Sequence, residues 1–290
     1  MAMNMRCFRD KDVPRCYGLL LTDLRPICAE TLCSDHGDIR SRQNPLVQQV
    51  RRLLERPRER QQAGLAVLDG DHLVNDWLSA GRAFERVLLA ESRATEAAAW
   101  LTRGTAVALL ADTCFEAVSP VASPTGIVAL VPIPIATPVD RGLILALDAV
   151  QDPGNVGTLM RMAAAAAVDQ VWLGAACADA WSWKVLRAAQ GAHAVLPICE
   201  RVDLHAAVKR FAGRSMALLP RADMPLYAAD LRGDLLLLVG GEGAGLSAEL
   251  IAVATVSLSI PMPGRAESLN AAMAGSIALY ERVRQDAASA

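Results

Sequence analysis

The chain has 290 residues, enough for one large domain or two modest ones. Hydrophobic residues make up 53% and charged residues 21%, which supports a sizeable core and excludes a disordered chain. The formal net charge of −2 excludes a polybasic or a strongly acidic character for the chain as a whole, and 4% aromatics leave few stacking platforms for single strands. No run approaches the roughly 18 consecutive apolar residues of a membrane span. The opening segment MAMNMRCFRDKDVPRCYG carries acids and lacks the apolar core of a secretory signal. Seven cysteines without CxxC spacing fit reduced cytoplasmic thiols better than a disulfide framework or a zinc site. Cys7, Cys16, Cys28, Cys33 and His36 lie near one another, but their spacings miss the usual ligand patterns, so no metal is expected.

Residues 1–38 lack periodicity and read as a poorly ordered extension. From Ile39 the composition changes. IRSRQNPLVQQVRRLLERPRER holds seven arginines and two glutamates. Leu46, Val47, Val50, Leu53 and Leu54 at helical spacing predict one amphipathic helix there, opened by Pro45. Its arginine-rich side, with Arg42, Arg51 and Arg52, is either a solvated face or a phosphate-contacting patch. GLAVLDG, RVLLAES, AVALLAD and GIVALV predict short strands, separated by helical HLVNDWLSAG and ATEAAAWLTRG. This alternation predicts a small α/β domain over 39–131. VPIPIATPVD, with three prolines, predicts a stiff linker over 132–140.

From residue 141 the pattern is again βαβα. GLILALDAV, QVWLG, AVLPI, SMALLP, DLLLLVG and VSLSIPM read as strands. NVGTLMRMAAAAAV, SWKVLRAAQGAH, LHAAVKRFAG, SAELIAVA and SLNAAMAGSIALYERVRQDA read as helices. Aliphatic strands between helices predict a parallel sheet covered on both faces, which binds ligands beyond the carboxyl ends of its strands. Three loops stand out at such ends. In LDAVQDPGNVGTLMRMA, Asn155 is a candidate helix cap and Arg161 follows six residues on. In LLLLVGGEGAGLSAEL, four glycines surround Glu242 without forming GxGxxG, so a dinucleotide fingerprint is not supported. In SIPMPGRAESLNAAMAG, Ser268 is a candidate helix cap, which leaves Asn270 unexplained.

In this order and at these intervals, the three loops resemble the SpoU (TrmH) family of SPOUT-class RNA ribose methyltransferases. The family's Asn-x-Gly-x-x-x-Arg matches Asn155, Gly157 and Arg161. Its Gly-x-Glu-x-x-Gly-Leu matches Gly240, Glu242, Gly245 and Leu246. Its Ile-Pro-Met-x-Gly-x-x-x-Ser-Leu-Asn matches Ile260, Pro261, Met262, Gly264, Ser268, Leu269 and Asn270. CADAWSWKVLRAAQGAH is similar to the family's intervening segment. Residues 39–131 resemble its ribosomal-protein-like substrate-binding domain, with LDG where Val-Glu-Gly is common.

The resemblance implies an α/β fold in which that small domain precedes a trefoil-knotted, parallel-sheet catalytic domain over 141–290. It implies transfer of a methyl group from S-adenosylmethionine to a ribose 2′-hydroxyl, with ribosomal RNA as the preferred substrate and transfer RNA as the alternative. It places the cofactor against Gly240, Gly241, Ile260, Met262 and Leu269. It assigns the chemistry to Arg161, Asn155, Glu242, Ser268 and Asn270, with Arg161 acting on the partner subunit's site. Because arginine keeps its charge, electrostatic positioning is the expected role. Lys184, Arg187 and His193 are either an exposed helix face or phosphate contacts. The family is homodimeric through the catalytic domain. Leu269, Met273, Ile277, Leu279 and Tyr280 supply either that interface or internal packing. A non-catalytic RNA-binding or ribosome-assembly factor of the same fold is one competing reading, and a nucleotide-dependent oxidoreductase another.

Overall fold

The computed structural model describes residues 38–289. The cysteine-containing opening segment therefore lies outside the described residues. In chain order, the first part contains α1 (Pro45–Glu55), α2 (Pro57–Ala63), β1 (Leu65–Asp69), α3 (Asp71–Ser79), β2 (Arg86–Ala90), α4 (Ala97–Thr102), β3 (Val107–Leu110), α5 (Asp112–Phe115) and β4 (Ile127–Pro132). The second contains β5 (Leu143–Asp148), α6 (Pro153–Ala165), β6 (Gln170–Leu173), α7 (Trp183–Ala189), β7 (Ile198–Cys199), α8 (Leu204–Arg210), β8 (Arg214–Leu219), β9 (Met224–Pro225), β10 (Leu235–Gly240), α9 (Ala248–Val253), β11 (Val256–Ser259) and α10 (Ala271–Ala287).

The first sheet is mixed, in the order β1-β4-β2-β3, with β2 and β3 parallel and the other pairs antiparallel. Val47, Val50 and Leu53 of α1 pack on one face, against Val67, Leu88 and Leu130. The basic stretch is two helices, not one. Pro57 cannot continue a helix, so Arg56 is extended (φ −121°, ψ 113°) and α2 starts afresh.

The second sheet has seven strands, all parallel, in the order β7-β6-β5-β10-β8-β11-β9. Leu235–Val239 of β10 are buried throughout, as a central strand covered on both faces requires. Ile144, Ala146, Trp172, Leu236 and Leu238 pack against Leu204 and Val208 of α8 and Leu250 of α9. The opposite face meets α6, α7 and α10. The helix expected over 182–193 stops at Ala189, because Gln190 and Gly191 both take positive φ (47° and 83°). The strand expected at 194–198 shrinks to Ile198–Cys199, and the short edge strand β9 carries no sequence signal.

The two sheets share a continuous core. Ala66, Leu68 and Val74 belong to the same cluster as Leu159, Val185 and Leu186. Trp77 and Trp181 meet edge to face at 6.2 Å. Arg60 of α2, 3% exposed, donates to Asp179 at 2.7 and 3.3 Å and to the carbonyls of Leu53 and Leu54. Arg82 donates to the carbonyl of Ala194 at 2.8 Å. Removing one partner of a buried pair strands the other charge. Arg60→Ala is therefore expected to lower unfolding free energy by about 3–5 kcal/mol, read from urea unfolding monitored by tryptophan fluorescence.

Candidate active site

The site forms where β8, β10 and β11 end, as the rule for parallel sheets requires. Leu218, Leu219 and Pro220, the glycine loop Gly240–Leu246, and Ile260, Met262, Ser268, Leu269 and Ala274 enclose a cavity of about 330 Å³. Among the described residues, Glu242 is the one charged side chain in that wall. The cavity is thus mostly apolar, with backbone amides and few polar groups, in the size range of small-molecule sites.

The backbone fits too closely at two points to admit a side chain. A Cβ on Gly240 would overlap the backbone of Gly245 and Leu246, and one on Gly241 would overlap the carbonyl of Ala149. The loop closes on itself through Gly245 N–H to the Gly241 carbonyl at 3.0 Å, with Gly245 at φ 68°. Asp148, at the end of β5, ties the loop down. Its carbonyl accepts from Gly241 N–H at 2.8 Å and its Oδ2 from Ser247 N–H at 3.0 Å. The sequence signal for Asp148 was an acid ending an otherwise aliphatic strand. Leu218 and Leu219 gave no signal beyond their place at a strand end.

Three polar residues singled out from the sequence come together. Glu242 Oε1 accepts from Asn155 Nδ2 and from Asn270 Nδ2, both at 2.5 Å. Asn270 Nδ2 also donates to Asn155 Oδ1 at 3.1 Å. Asn270 is itself the N-cap of α10: its Oδ1 accepts from Ala272 and Met273 N–H at 2.9 and 3.2 Å. That corrects the expectation for Ser268, which is exposed and lines the cavity. Asn155 does not cap α6 either. Asp152 does, accepting from Asn155 N–H at 2.8 Å, with Pro153 at the first helical position. Asn155 is thereby free to turn its amide to Glu242.

Gly157 serves packing. A Cβ there would overlap Ala188 and reach within 2.8 Å of the Val185 carbonyl, so its absence lets α6 and α7 cross closely. Arg161 stands apart from the triad. Six residues along α6 place it about 9 Å from Asn155 and about 120° round the axis. It is exposed, outside the cavity wall, in a hollow with Asp76, Ala189, Gln190 and Val195.

The basic residues also separate. Arg51 and Arg52 are exposed on α1 beside Glu55 and Glu59, at 4.0 and 3.7 Å. Arg42 is exposed but donates to the Thr113 carbonyl and to Glu116. Lys184 and Arg187 are exposed on α7, with Lys184 Nζ 5.7 Å from the centroid of Trp183. His193 is not on that face. It is 2% exposed, with a ring nitrogen 2.7 Å from the Ala180 carbonyl, and burial depresses its pKa to about 4. Leu279 is buried while Met273 and Tyr280 are exposed, so the apolar residues of α10 divide between core and surface.

The depressed His193 pKa has a stability consequence. Below its ordinary value near 6.5 the unfolded chain takes up a proton that the native state refuses. Stability is full above pH 6.5 and falls as pH drops toward 4, by up to about 3 kcal/mol from this group. Urea unfolding at pH 7 and pH 4.5 is expected to show that loss, and a folded His193→Gln variant to show less of it.

Among the described residues no cluster of His, Cys, Asp and Glu fits a metal ion, and no helix is long and apolar enough to cross a membrane.

Comparison with known proteins agrees with this geometry. Residues 142–280 match the SpoU rRNA Methylase family, and residues 44–129 the MRM3-like substrate binding domain. The chain is 34% identical over 272 residues to an uncharacterized tRNA/rRNA methyltransferase of Synechocystis, covering 88% of this chain and 96% of that one. It is 33% identical over 230 residues to the 23S rRNA (guanosine(2553)-2′-O)-methyltransferase RlmP of Bacillus subtilis, covering 78% and 92%. Among solved structures, the AdoMet-bound SpoU methyltransferase AviRb of Streptomyces viridochromogenes superimposes with a TM-score of 0.75 at 27% identity, covering 84% of this chain and 98% of that one. An AdoMet-bound rRNA methyltransferase of Sinorhizobium meliloti does so with a TM-score of 0.76 at 27% identity, covering 86% and 97%. Fold, cavity and relatives thus place the chain among RNA 2′-O-ribose methyltransferases, a class whose AdoMet-bound members superimpose on it. The chain belongs to the SpoU rRNA methylase family.

Proposed function

We propose that the protein methylates a ribose 2′-hydroxyl of ribosomal RNA, and that the rim formed by Asn155, Glu242 and Asn270 is where the ribose is oriented. The observation that carries this reading is the hydrogen-bonded triad at the mouth of a glycine-walled, mostly apolar cavity. S-adenosylmethionine, when bound, supplies a methyl group on a sulfonium, already activated for transfer. The chain's task is then alignment and charge management. Gly240, Gly241, Ile260, Met262 and Leu269 hold the cofactor through backbone groups and apolar contact. Gly240 and Gly241 fit this task because a side chain on Gly240 would meet the loop's own backbone and one on Gly241 the carbonyl of Ala149. Ser268 borders the same cavity and faces the acceptor ribose.

Arg161 positions the RNA and stabilises charge developing on the 2′-oxygen. It does so in the partner subunit's site, since it lies outside its own cavity. Leu269, Met273 and Tyr280, exposed at 38%, 57% and 46%, form part of the homodimer surface. Residues 39–131 form the substrate-binding domain and 132–140 the link to a catalytic domain at 141–290, whose cofactor loops are threaded as a trefoil knot. Arg42, Arg51, Arg52, Lys184 and Arg187 contact RNA phosphates, with affinity falling as salt rises. The setting is the cytoplasm. Ribosomal RNA is favoured over transfer RNA because a relative matched over 92% of its length is named for 23S rRNA.

Incubation with labelled S-adenosylmethionine and unmodified ribosomal or transfer RNA, followed by nuclease digestion, tests this reading. A 2′-O-methyl nucleotide in ribosomal RNA is expected. Label only in transfer RNA would reassign the substrate. No transfer and no cofactor binding would leave an RNA-binding factor.

A further inference from the structure

We propose that Asp148, which lies outside the cofactor cavity, is a positioning residue that sets how tightly the cavity holds S-adenosylmethionine. The proposal rests on the reading above that this cavity is the cofactor site. Asp148 ends β5, pairs in register with Gly240 of β10 and is half-buried. It holds the glycine loop at both ends. Its carbonyl accepts from Gly241 N–H at 2.8 Å, where the loop begins, and its Oδ2 accepts from Ser247 N–H at 3.0 Å, where the loop ends. Every residue from Gly241 to Leu246 lines the cavity, whereas Asp148 and Ser247 do not. A residue that touches both ends of the wall and none of its lining face acts on binding through the loop's shape.

The two anchors differ in kind. The bond to Gly241 N–H comes from the backbone and continues the ladder between β5 and β10, so any residue at 148 could make it. The bond to Ser247 N–H needs this side chain. Ser247 opens α9, whose Leu250 is buried in the core, and its own hydroxyl caps no amide of that helix. The Asp148 carboxylate thus fixes the far end of the loop, and a charged acceptor makes that bond stronger than a neutral one would. Ala149 follows with a positive φ (54°), uncommon for a residue with a side chain, and its carbonyl occupies the place where a Cβ on Gly241 would stand. The same connection runs on through the Asp152 cap to Asn155, which reaches Glu242 within the loop. One strand-to-helix connection therefore holds the glycine loop at its start, at Glu242 and at its end. Releasing Ser247 loosens the cavity wall and draws Glu242 out of line with Asn155 and Asn270.

The test measures S-adenosylmethionine affinity of the full chain by calorimetry, in the unmodified protein, Asp148→Ala and Asp148→Asn. Asp148→Ala removes the side-chain acceptor and is expected to weaken cofactor binding about tenfold. Asp148→Asn keeps an oxygen for Ser247 N–H and is expected to recover affinity to within about threefold of the unmodified protein. Transfer to ribosomal RNA at saturating cofactor is expected to stay lowered in Asp148→Ala with KM for RNA unchanged, because Glu242 is displaced and the phosphate contacts are not. Amide hydrogen exchange on the unmodified protein carries the test if Asp148→Ala does not fold. Ser247 N–H is expected to exchange slowly, and more slowly still with cofactor bound. A merely structural Asp148 would lower the stability of the alanine variant and leave the affinity of its folded molecules within about twofold. That result, equal losses in the two variants, or rapid Ser247 exchange indifferent to cofactor would overturn the proposal. The unmodified protein separates the two readings. No cofactor binding there removes the cavity reading and this proposal with it, whereas binding that Asp148→Ala leaves unchanged removes this proposal alone.

Discussion

An Arg161→Ala variant is expected to lose methyl transfer by about two to three orders of magnitude, the usual cost of removing one charge-stabilising donor from a reaction centre. Its stability is expected to change little. Arg161 is exposed on α6, and among the described residues no hydrogen bond or ion pair holds it. Cofactor affinity, measured by calorimetry, is expected to stay near that of the unmodified protein, because Arg161 is outside the cavity wall. Arg161→Lys keeps the charge but loses the planar fork, so partial activity is expected. The location also allows a test of which subunit it serves. Subunits carrying Arg161→Ala and subunits carrying a dead cofactor loop are each inactive. Mixing them restores transfer if the arginine serves the partner's cavity, and leaves it lost if the arginine serves its own.

The second large effect is at Gly240. In Gly240→Ala the new methyl meets backbone atoms of Gly245 and Leu246, which cannot rotate away as a side chain would. The loop must shift, and both displaced residues line the cavity. S-adenosylmethionine affinity is expected to fall by about tenfold to a hundredfold, with transfer lost in step, since repacking around a forced methyl typically costs about 1–3 kcal/mol. Gly243→Ala is the control. A Cβ there meets nothing within 4 Å, and the residue does not have positive φ, so near-normal binding is expected. Calorimetric titration of both variants with the cofactor separates the two outcomes.

Much of this was legible in the sequence. The aliphatic strands were readable because a buried parallel strand needs apolar residues on both faces, as in Leu235–Val239. The three loops were readable because glycine, proline and isolated polar residues at strand ends have few other uses. Which polar residue did what was not readable. Ser268 and Asn155 looked like caps because cap preference is local chemistry, and local chemistry allowed Asp152 and Asn270 equally well. Only the tertiary meeting of Asn155, Glu242 and Asn270 decided between them. His193 misled for a related reason. It follows two residues of positive φ that end α7 and turn the chain inward, so helical spacing carried past Ala189 put it on the wrong face. Arg60 belongs to the same arginine-rich stretch, and nothing local marks it as different, because its burial against Asp179 depends on a contact 119 residues away.

The place of β10 in the sheet orders events during synthesis. Its neighbours β5 and β8 are both made before it, and β5 lies about ninety residues upstream, a separation that slows pairing. Until β10 emerges, β5 and β8 each present an unpaired edge to the solvent. The first sheet has all four strands by Pro132, whereas the cavity needs residues as late as Ala274. The growing chain thus completes its first sheet long before it can hold a methyl donor. A ligand that binds only the finished cavity then stabilises the completed sheet by mass action, so cofactor supply should raise the yield of folded protein as well as the rate of reaction.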